Sequence, residues 1–400
     1  MEYKDIKGTL ALDEMKWDAV ADATFKDNGE VVLKTRIDSP DFDNHMQNLL
    51  KSFYDENGDI KPGSSYGIAE FEGKSQGMSF IFKRLFFTYN QFNEFQVFNC
   101  NKGRVINRDK EPNRVVFGIM NFIAFLPIDY FLEFNGIKIR IRPNEHFHQN
   151  QEDTIRRIKE DKEILLTSEI EITGEEFFKL SFEEQNRFVD YLMFILSFVC
   201  RLYSVWSFRK DYLESQEISS YQRDVGCLPY FSTYKGLVDY HRRCEWQTKK
   251  SWLENLLAKF IRRSKDEKEQ LTTAIDFYLH SFSISKYEVS LLVLCTSLEC
   301  IEDFYYKSNI DTRFTVVGTK VMQGRSKLTH KEKLIFMRDY LNVPDKSRYP
   351  DLELEEFLQI RHDLVHKGEM DVNLIDKIWI RSTLIINLIQ EILIKILLNS

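Results

Sequence analysis

The chain has 400 residues, a net charge of −7, and a composition that is 43% hydrophobic and 29% charged. This length exceeds that of one ordinary single-core domain, so two or three domains are expected. The acidic balance argues against a protein that coats nucleic acid with its whole surface, although it leaves room for a local basic groove.

The cysteines and the two termini bear on the compartment. Six cysteines show no CxxC spacing, which indicates buried thiols in a reducing compartment rather than a disulfide or zinc framework. The N-terminal MEYKDIKGTL lacks the apolar core of a signal peptide. The C-terminal STLIINLIQEILIKILL is interrupted by Gln390, Glu391 and Lys395, which favours a buried or partner-facing helix over a membrane span. The expectation is a cytoplasmic protein with no membrane partner, no cofactor and no metal site.

Residues 1–149 are predicted to form a β-rich domain. ADATF and VVLKTRI flank an Asp-Asn-Gly turn signal, and YFLEF and IKIRIR flank Asn135-Gly136. Between these hairpins lie short runs rich in aromatic and β-branched residues. Such spacing is typical of a β-sandwich or a closed β-sheet.

Residues 150–265 are predicted to be a mixed α/β segment. LTSEIEI favours a strand, and Ser181 with Glu184 forms a capping box before the apolar run FVDYLMFILSFVC. The stretch from Arg242 to Lys268 combines many basic residues with Trp246 and Trp252. This mixture suits RNA binding by phosphate contact and stacking, although a solvated basic helix with core tryptophans explains the stretch better when it is taken alone. The candidate RNA-binding residues are Arg242, Arg243, Lys249, Lys250, Arg262 and Arg263.

Residues 266–400 are predicted to be all-α, which makes the whole chain an α+β protein. Capping boxes at Ser285–Glu288 and Thr329–Glu332 start two helices. Pro350 suits the start of DLELEEFLQIRHDLVH, and Gly368 is placed to end that helix. A last helix runs from about residue 373 to the C-terminus.

Arg361, His362 and His366 form a polar corner near the end of one of these helices. The two histidines are four residues apart and share a face, with the Arg361 side chain next to them. Leu364 and Val365 are predicted to point into the core. An imidazole has the unperturbed pKa closest to neutrality, and a guanidinium holds a charged phosphate in a bidentate manner. This set suits metal-independent cleavage of RNA.

The arrangement Arg361, four residues, His366, at the end of a helix in a small all-α domain, resembles the R-x4-6-H motif of HEPN domains. The polar residue that usually follows the arginine in that family is matched by His362. With SLECIEDF on an earlier helix, the last third of the chain looks most like the ApeA-type HEPN group. That resemblance implies a ribonuclease domain behind a non-catalytic N-terminal region, a role in anti-phage defence, and a site usually built from two protomers.

Neighbouring residues complete the hypothesis. Glu299 is expected to orient Arg361 through a salt bridge, and Asp363 is a second supporting acid; a solvated helix carboxylate is the alternative for Glu299. A second motif match, Arg325 to His330, falls in a polar connection and is treated as chance. Arg361 and His366 at a helix C-terminus are also favoured by the helix dipole alone, and the HxxxH spacing also fits a metal site that lacks a third ligand.

The sequence therefore predicts a HEPN-type endoribonuclease that acts as an abortive-infection effector. Its partners would be an RNA substrate, with tRNA as one candidate, and a phage-derived trigger that the N-terminal domain senses. A homodimer is expected, and part of an apolar surplus on the last helix is the candidate for its interface, with packing under the middle domain as the alternative: Ile378, Ile385, Leu388, Ile389, Ile392 and Ile396. The alternative is a non-catalytic HEPN module that binds RNA, a nucleotide or a protein.

Overall fold

A computed structural model of the chain describes residues 2–12, 15–25, 31–37, 39–42, 44–45, 48, 69–75, 78–88, 96–106, 111–122, 129–160, 163–201, 203–223, 245–284, 286–308, 329–341, 343, 346–367 and 375–398. Strands dominate the first half and helices the second, so the predicted α+β class is confirmed.

Twelve strands within the described residues form one antiparallel network. They are β1 (Glu2–Leu12), β2 (Met15–Phe25), β3 (Val31–Arg36), β4 (Ala69–Ser75), β5 (Met78–Thr88), β6 (Gln96–Ile106), β7 (Arg114–Met120), β8 (Tyr130–Phe134), β9 (Ile137–Pro143), β10 (Leu166–Thr173), β11 (Val205–Leu213) and β12 (Gln216–Arg223). The spatial order is β3-β2-β1-β4-β5-β6-β12-β11-β7-β10-β9-β8, and β3 also pairs with β6.

The first six strands close into a ring because the first half of β6 pairs with β3, from Gln96 to Cys100. The second half, from Lys102 to Ile106, pairs with β12 instead of β3. This pairing connects the ring to the remaining strands, β12, β11, β7, β10, β9 and β8. Alternate residues of β2 are buried, as a sheet with one covered face requires. The ring encloses an apolar core in which Trp17, Phe71 and Phe82 are buried.

Both predicted hairpins are present. Asn135 and Gly136 have φ angles of 47° and 80°, the positive pair that a two-residue type I′ turn requires, and they connect β8 to β9. Strands β2 and β3 pair on either side of the first turn signal, which itself lies outside the described residues.

The helices are α1 (Glu145–Gln149), α2 (Gln151–Lys159), α3 (Glu175–Phe178), α4 (Phe182–Cys200), α5 (Glu245–Arg262), α6 (Lys265–Ser281), α7 (Tyr287–Ser308), α8 (His330–Tyr340), α9 (Asp351–Lys367) and α10 (Ile375–Leu398). The capping boxes predicted before α4 and α8 are formed, by Ser181 with Glu184 and by Thr329 with Glu332. Ser285 lies outside the described residues. Helix α9 ends one residue before Gly368, where the stop was predicted.

The chain divides into two compact units. One contains residues 1–154, 163–185 and 205–228, and the other contains residues 155–162, 186–204 and 229–400. The predicted boundaries at 150 and 266 do not separate these units, because β10, β11 and β12 join the N-terminal sheet while most of α4 and all of α5 belong with the C-terminal helices. Strand pairing over long sequence distances decides this division, and composition along the chain does not report it.

The C-terminal unit is built around α10, which contacts α5, α7, α8 and α9. Five residues of its predicted dimer surface are buried within the chain itself: Ile385, Leu388, Ile389, Ile392 and Ile396. The side chain of Ile378 lies outside the described residues. The assignment of the α10 surplus to a dimer interface is therefore wrong, because the helices of the same unit cover that face.

Candidate active site

Helix α9 carries the predicted motif on its last two turns. Leu354, Phe357 and Leu364 bury one side of the helix, and Arg361 lies partly buried between the directions of Phe357 and Leu354. Val365, which was expected in the core with Leu364, is 49% exposed, so this part of the prediction is wrong. At about 100° per residue, Val365 lies about 20° beyond Leu354, at the edge of the arc that the buried residues occupy.

Arg361 is held by an acid from a neighbouring helix. Its guanidinium donates to the Glu299 carboxylate of α7, and the two side chains are 20% and 40% exposed. This is the salt bridge that the sequence suggested for Glu299. It fixes a long side chain that would otherwise sample many rotamers, and it leaves part of the guanidinium accessible.

His362 and His366 lie together on the exposed side of α9. Their ring centroids are 4.4 Å apart, as expected for residues one turn apart on one face. Asp363 bonds within its own helix, to the Lys367 ammonium at 2.8 Å and the Gln359 amide at 3.1 Å. The hydrogen bond from Lys367 lowers the pKa of Asp363, which keeps this carboxylate charged. Asp363 thus supports the helix end and makes no contact with Arg361 that the structure shows.

Sequence reasoning missed a further group beside Arg361. Glu302 lies one turn after Glu299 on α7, and its carboxylate has no exposed surface. His330, the first residue of α8, places its Nδ1 2.7 Å from the Glu302 Oε2. The Lys333 ammonium lies 3.7 Å from the same oxygen. The sequence analysis treated His330 and Arg325 as a chance motif match, and Arg325 lies outside the described residues. The i, i+3 spacing of Glu299 and Glu302 on α7 was the sequence feature that could have indicated a second acid beside Arg361.

The electrostatics of this group follow from burial and pairing. The hydrogen bond to Glu302 raises the pKa of His330, and Arg361 works against that shift while Glu299 adds to it. Burial raises the pKa of Glu302, and His330 and Lys333 partly oppose the increase. Burial also raises the pKa of the nearby Cys295 thiol to about 12, so this cysteine stays protonated and inert as a nucleophile.

The structure divides the predicted RNA-binding residues. Arg262 is exposed at the end of α5, and the Lys250 ammonium lies 3.9 Å from the Glu254 carboxylate on the same helix. Arg242 and Arg243 lie outside the described residues, as does the side chain of Lys249.

Arg263 cannot serve as an RNA contact in this conformation. Only 7% of its side chain is exposed, and its guanidinium donates to the Ile396 carbonyl of α10 and pairs with Glu267 at 3.4 Å. Burial lowers its pKa. The prediction for Arg263 is therefore wrong, because the side chain is buried and two of its guanidinium nitrogens are engaged by Glu267 and by the end of α10.

No described helix is long and apolar enough to cross a membrane. No group of three or more His, Cys, Asp or Glu side chains in the described part is arranged to hold a metal ion. No protein-family model, curated protein or solved structure matches the chain, so the functional assignment depends on its own residues.

The Glu302–His330 pair predicts a pH-dependent stability. Because the folded state raises the pKa of His330 above its ordinary 6.5, the stabilisation is full below about pH 6.5 and is lost as the pH rises through the folded pKa. The raised pKa of Glu302 acts with the same sign from about pH 4.5 upward. Urea unfolding of the C-terminal unit between pH 6 and 9 should therefore show falling stability. The slope should be reduced in His330→Gln and nearly absent in Glu302→Gln.

The matched control is His280→Gln, which removes an exposed imidazole from α6 in the same unit. Its pH slope should equal that of the unmodified protein. Equal slopes in all four proteins would show that the buried pair does not titrate in this range.

Proposed function

We propose that the chain is a metal-independent endoribonuclease that cleaves RNA by attack of the 2′-hydroxyl on the adjacent phosphate. The observation that supports this most is the end of α9, where Glu299 fixes the Arg361 guanidinium and the His362–His366 pair lies exposed on the adjoining turns. A positioned cation and accessible imidazoles are the groups that this reaction needs.

The reaction requires two proton transfers and the stabilisation of one charge. The 2′-oxygen must lose a proton and the 5′-oxygen must gain one, and an imidazole suits both tasks near neutral pH. The phosphorane between the two steps carries additional negative charge, which a guanidinium neutralises through two parallel hydrogen bonds. In this proposal His366 acts as the base, Arg361 holds the phosphorane, and His362 assists His366.

The resemblance to HEPN domains supplies the biological part of the proposal. By that resemblance the chain would be an anti-phage effector that degrades cellular RNA, with tRNA as one candidate, after a phage-derived trigger acts on the β-rich unit. The location would be the cytoplasm.

The alternative is a non-catalytic HEPN module. It is favoured by one observation: Arg361 is already neutralised by Glu299 and is only 20% exposed, as in a structural ion pair. Overexpression of the unmodified protein and of His366→Ala, with growth and total RNA followed, separates the two. Toxicity and RNA fragmentation that disappear in His366→Ala favour the enzyme, and equal behaviour favours the module.

His366→Ala should abolish cleavage while the protein stays folded, because the side chain is exposed and packs against no core residue. The expected loss is about 10²- to 10⁴-fold, the usual contribution of one general acid or base. Arg361→Lys should also fail, because an ammonium is a point charge that cannot make the planar bidentate contact. Cleavage of a labelled RNA measures both, with His280→Ala as the control. Normal cleavage by His366→Ala would rule out the catalytic assignment.

Cleavage should persist in EDTA, because the proposed groups supply proton transfer and charge stabilisation without a metal. The products should end in a 2′,3′-cyclic phosphate, or its opened form, and a 5′-hydroxyl. Mass spectrometry of the fragments tests this chemistry. Fragments with 5′-phosphate ends, or cleavage that appears only when a divalent metal is added, would contradict the mechanism.

A homodimer stays a prediction, but its interface needs another surface than α10. Leu352 is 64% exposed and lies about 40° from His366 around α9, although about 21 Å from it along the helix, so it offers an apolar surface for pairing on the side that carries His366. Sedimentation at micromolar concentration should show a dimer that Leu352→Glu converts to a monomer. Val289→Glu, at a 40% exposed position on α7, is the control. A protein that is monomeric throughout would contradict the prediction.

A further inference from the structure

The buried carboxylate of Glu302 is only partly paired. Its Oε2 is bonded to His330 and lies near Lys333, while its Oε1 is buried without a hydrogen-bond partner among the described residues. An acid in such a position is costly, because its desolvation is only partly compensated. Stability alone would be served at least as well by an apolar residue, so a chemical role for the pair deserves a test.

His330 is oriented as a histidine that transfers protons would be. Its Nδ1 faces the buried carboxylate, and its side chain is 42% exposed. Its Nε2 has no hydrogen-bond partner within the described chain. A carboxylate that accepts from one ring nitrogen fixes the tautomer and directs the other nitrogen outward, which is how proton-transferring histidines are commonly held.

The pair lies beside the proposed site. Glu299 and Glu302 are one turn apart on α7, so the Glu299–Arg361 and Glu302–His330 pairs are neighbours. The charges of Arg361 and Glu299 both act on the protonation of His330. An oxygen of a phosphate bound by Arg361 would therefore lie near the His330 ring.

We infer that His330 is a further catalytic residue, the general acid that protonates the leaving 5′-oxygen, and that Glu302 is its positioning residue. This inference rests on the proposed ribonuclease function. As the 2′-oxygen forms its bond to phosphorus and gives its proton to His366, the bond from phosphorus to the 5′-oxygen breaks. That oxygen takes the proton from the His330 Nε2. One proton enters and one leaves, and no co-reactant is needed.

The charges around His330 favour an acid over a base. Glu302 and Glu299 of α7 favour its protonated form, and the opposing cations are Lys333 of α8 and Arg361 of α9. Lys333 is itself balanced by Glu302 and by Asp303, whose carboxylate lies 3.8 Å from the ammonium. The N-terminal position on α8 also opposes protonation, since the helix dipole is positive there. The direct hydrogen bond to Glu302 outweighs these effects and raises the pKa of the ring.

An activated substrate separates an acid from a base. A nucleoside 3′-(4-nitrophenyl phosphate) releases a phenolate that needs no proton, so a missing general acid matters little for its cleavage. His330→Gln keeps an amide donor for Glu302 but cannot titrate. It should lose about 10²- to 10³-fold on RNA and remain within about threefold of the unmodified enzyme on the activated substrate. His366→Ala should lose activity on both.

Glu302→Gln gives an independent reading through the pH profile. Without the carboxylate the His330 pKa should fall, so the alkaline limb of kcat/KM for RNA should move to lower pH while the acidic limb stays in place. A role confined to structure would lower the rate without moving that limb. His280→Gln serves as the control for both experiments.

The outcomes distinguish this inference from the function on which it rests. Suppose that the unmodified protein cleaves RNA and His366→Ala does not. If His330→Gln then cleaves RNA normally, or loses activity equally on RNA and on the activated substrate, His330 is not the general acid. An unmoved alkaline limb in Glu302→Gln would overturn it as well. If the unmodified protein cleaves neither substrate, the ribonuclease proposal itself has failed.

Discussion

A carboxylate that water cannot reach must be matched by a partner, and this requirement organises the C-terminal unit. Removing an ion from water costs several kcal/mol unless hydrogen bonds and opposite charge replace the hydration. Glu302 on α7 receives that replacement from His330 and Lys333, both on the first turns of α8. One turn earlier, Glu299 receives Arg361 from α9. Two acids on one face of α7 thus define where two other helices meet it.

Apolar packing supplies most of the stability of these contacts, but it allows one helix to shift along another at little cost in free energy. Apolar side chains such as leucine and phenylalanine can pack in several similar arrangements with little difference in energy. A charged pair does not tolerate a shift in helix register, because moving one helix by a turn separates the charges and leaves a buried acid unpaired. Polar pairs fix register in this way in other helical assemblies. The groups proposed for catalysis would then be positioned by the contacts that set the register of the helices.

The β-rich unit meets the same constraint in its own core. Arg209 and Asp211 are 2% and 8% exposed, and their side chains are bonded at 2.7 Å. Gln185 accepts a second hydrogen bond from Arg209, and the Phe182 ring lies 4.3 Å from its guanidinium carbon. Both side chains of this pair are almost fully buried, so it fits a structural role. The contrast with His330, which is 42% exposed, is what separates a stabilising pair from a candidate for proton transfer.

Local signals in the sequence determined the elements of this protein. The Asn135-Gly136 turn, the capping boxes at Ser181 and Thr329, and the end of α9 before Gly368 each depend on a few adjacent residues, so they could be read without a fold. The α+β class followed from the periodicity of the same segments. The salt bridge between Glu299 and Arg361 was also within reach, because each residue stood at a recognisable place on its helix.

The tertiary structure alone decided what depends on residues distant in sequence. Closure of the ring through β6, the division of residues 150–265 between two units, the burial of Arg263 and the covering of the α10 face all arise from long-range packing, which periodicity cannot report. His330 belongs to this group as well. Its importance lies in a contact with Glu302, 28 residues away, and an isolated histidine before a helix carries no sign of the acid that will face it.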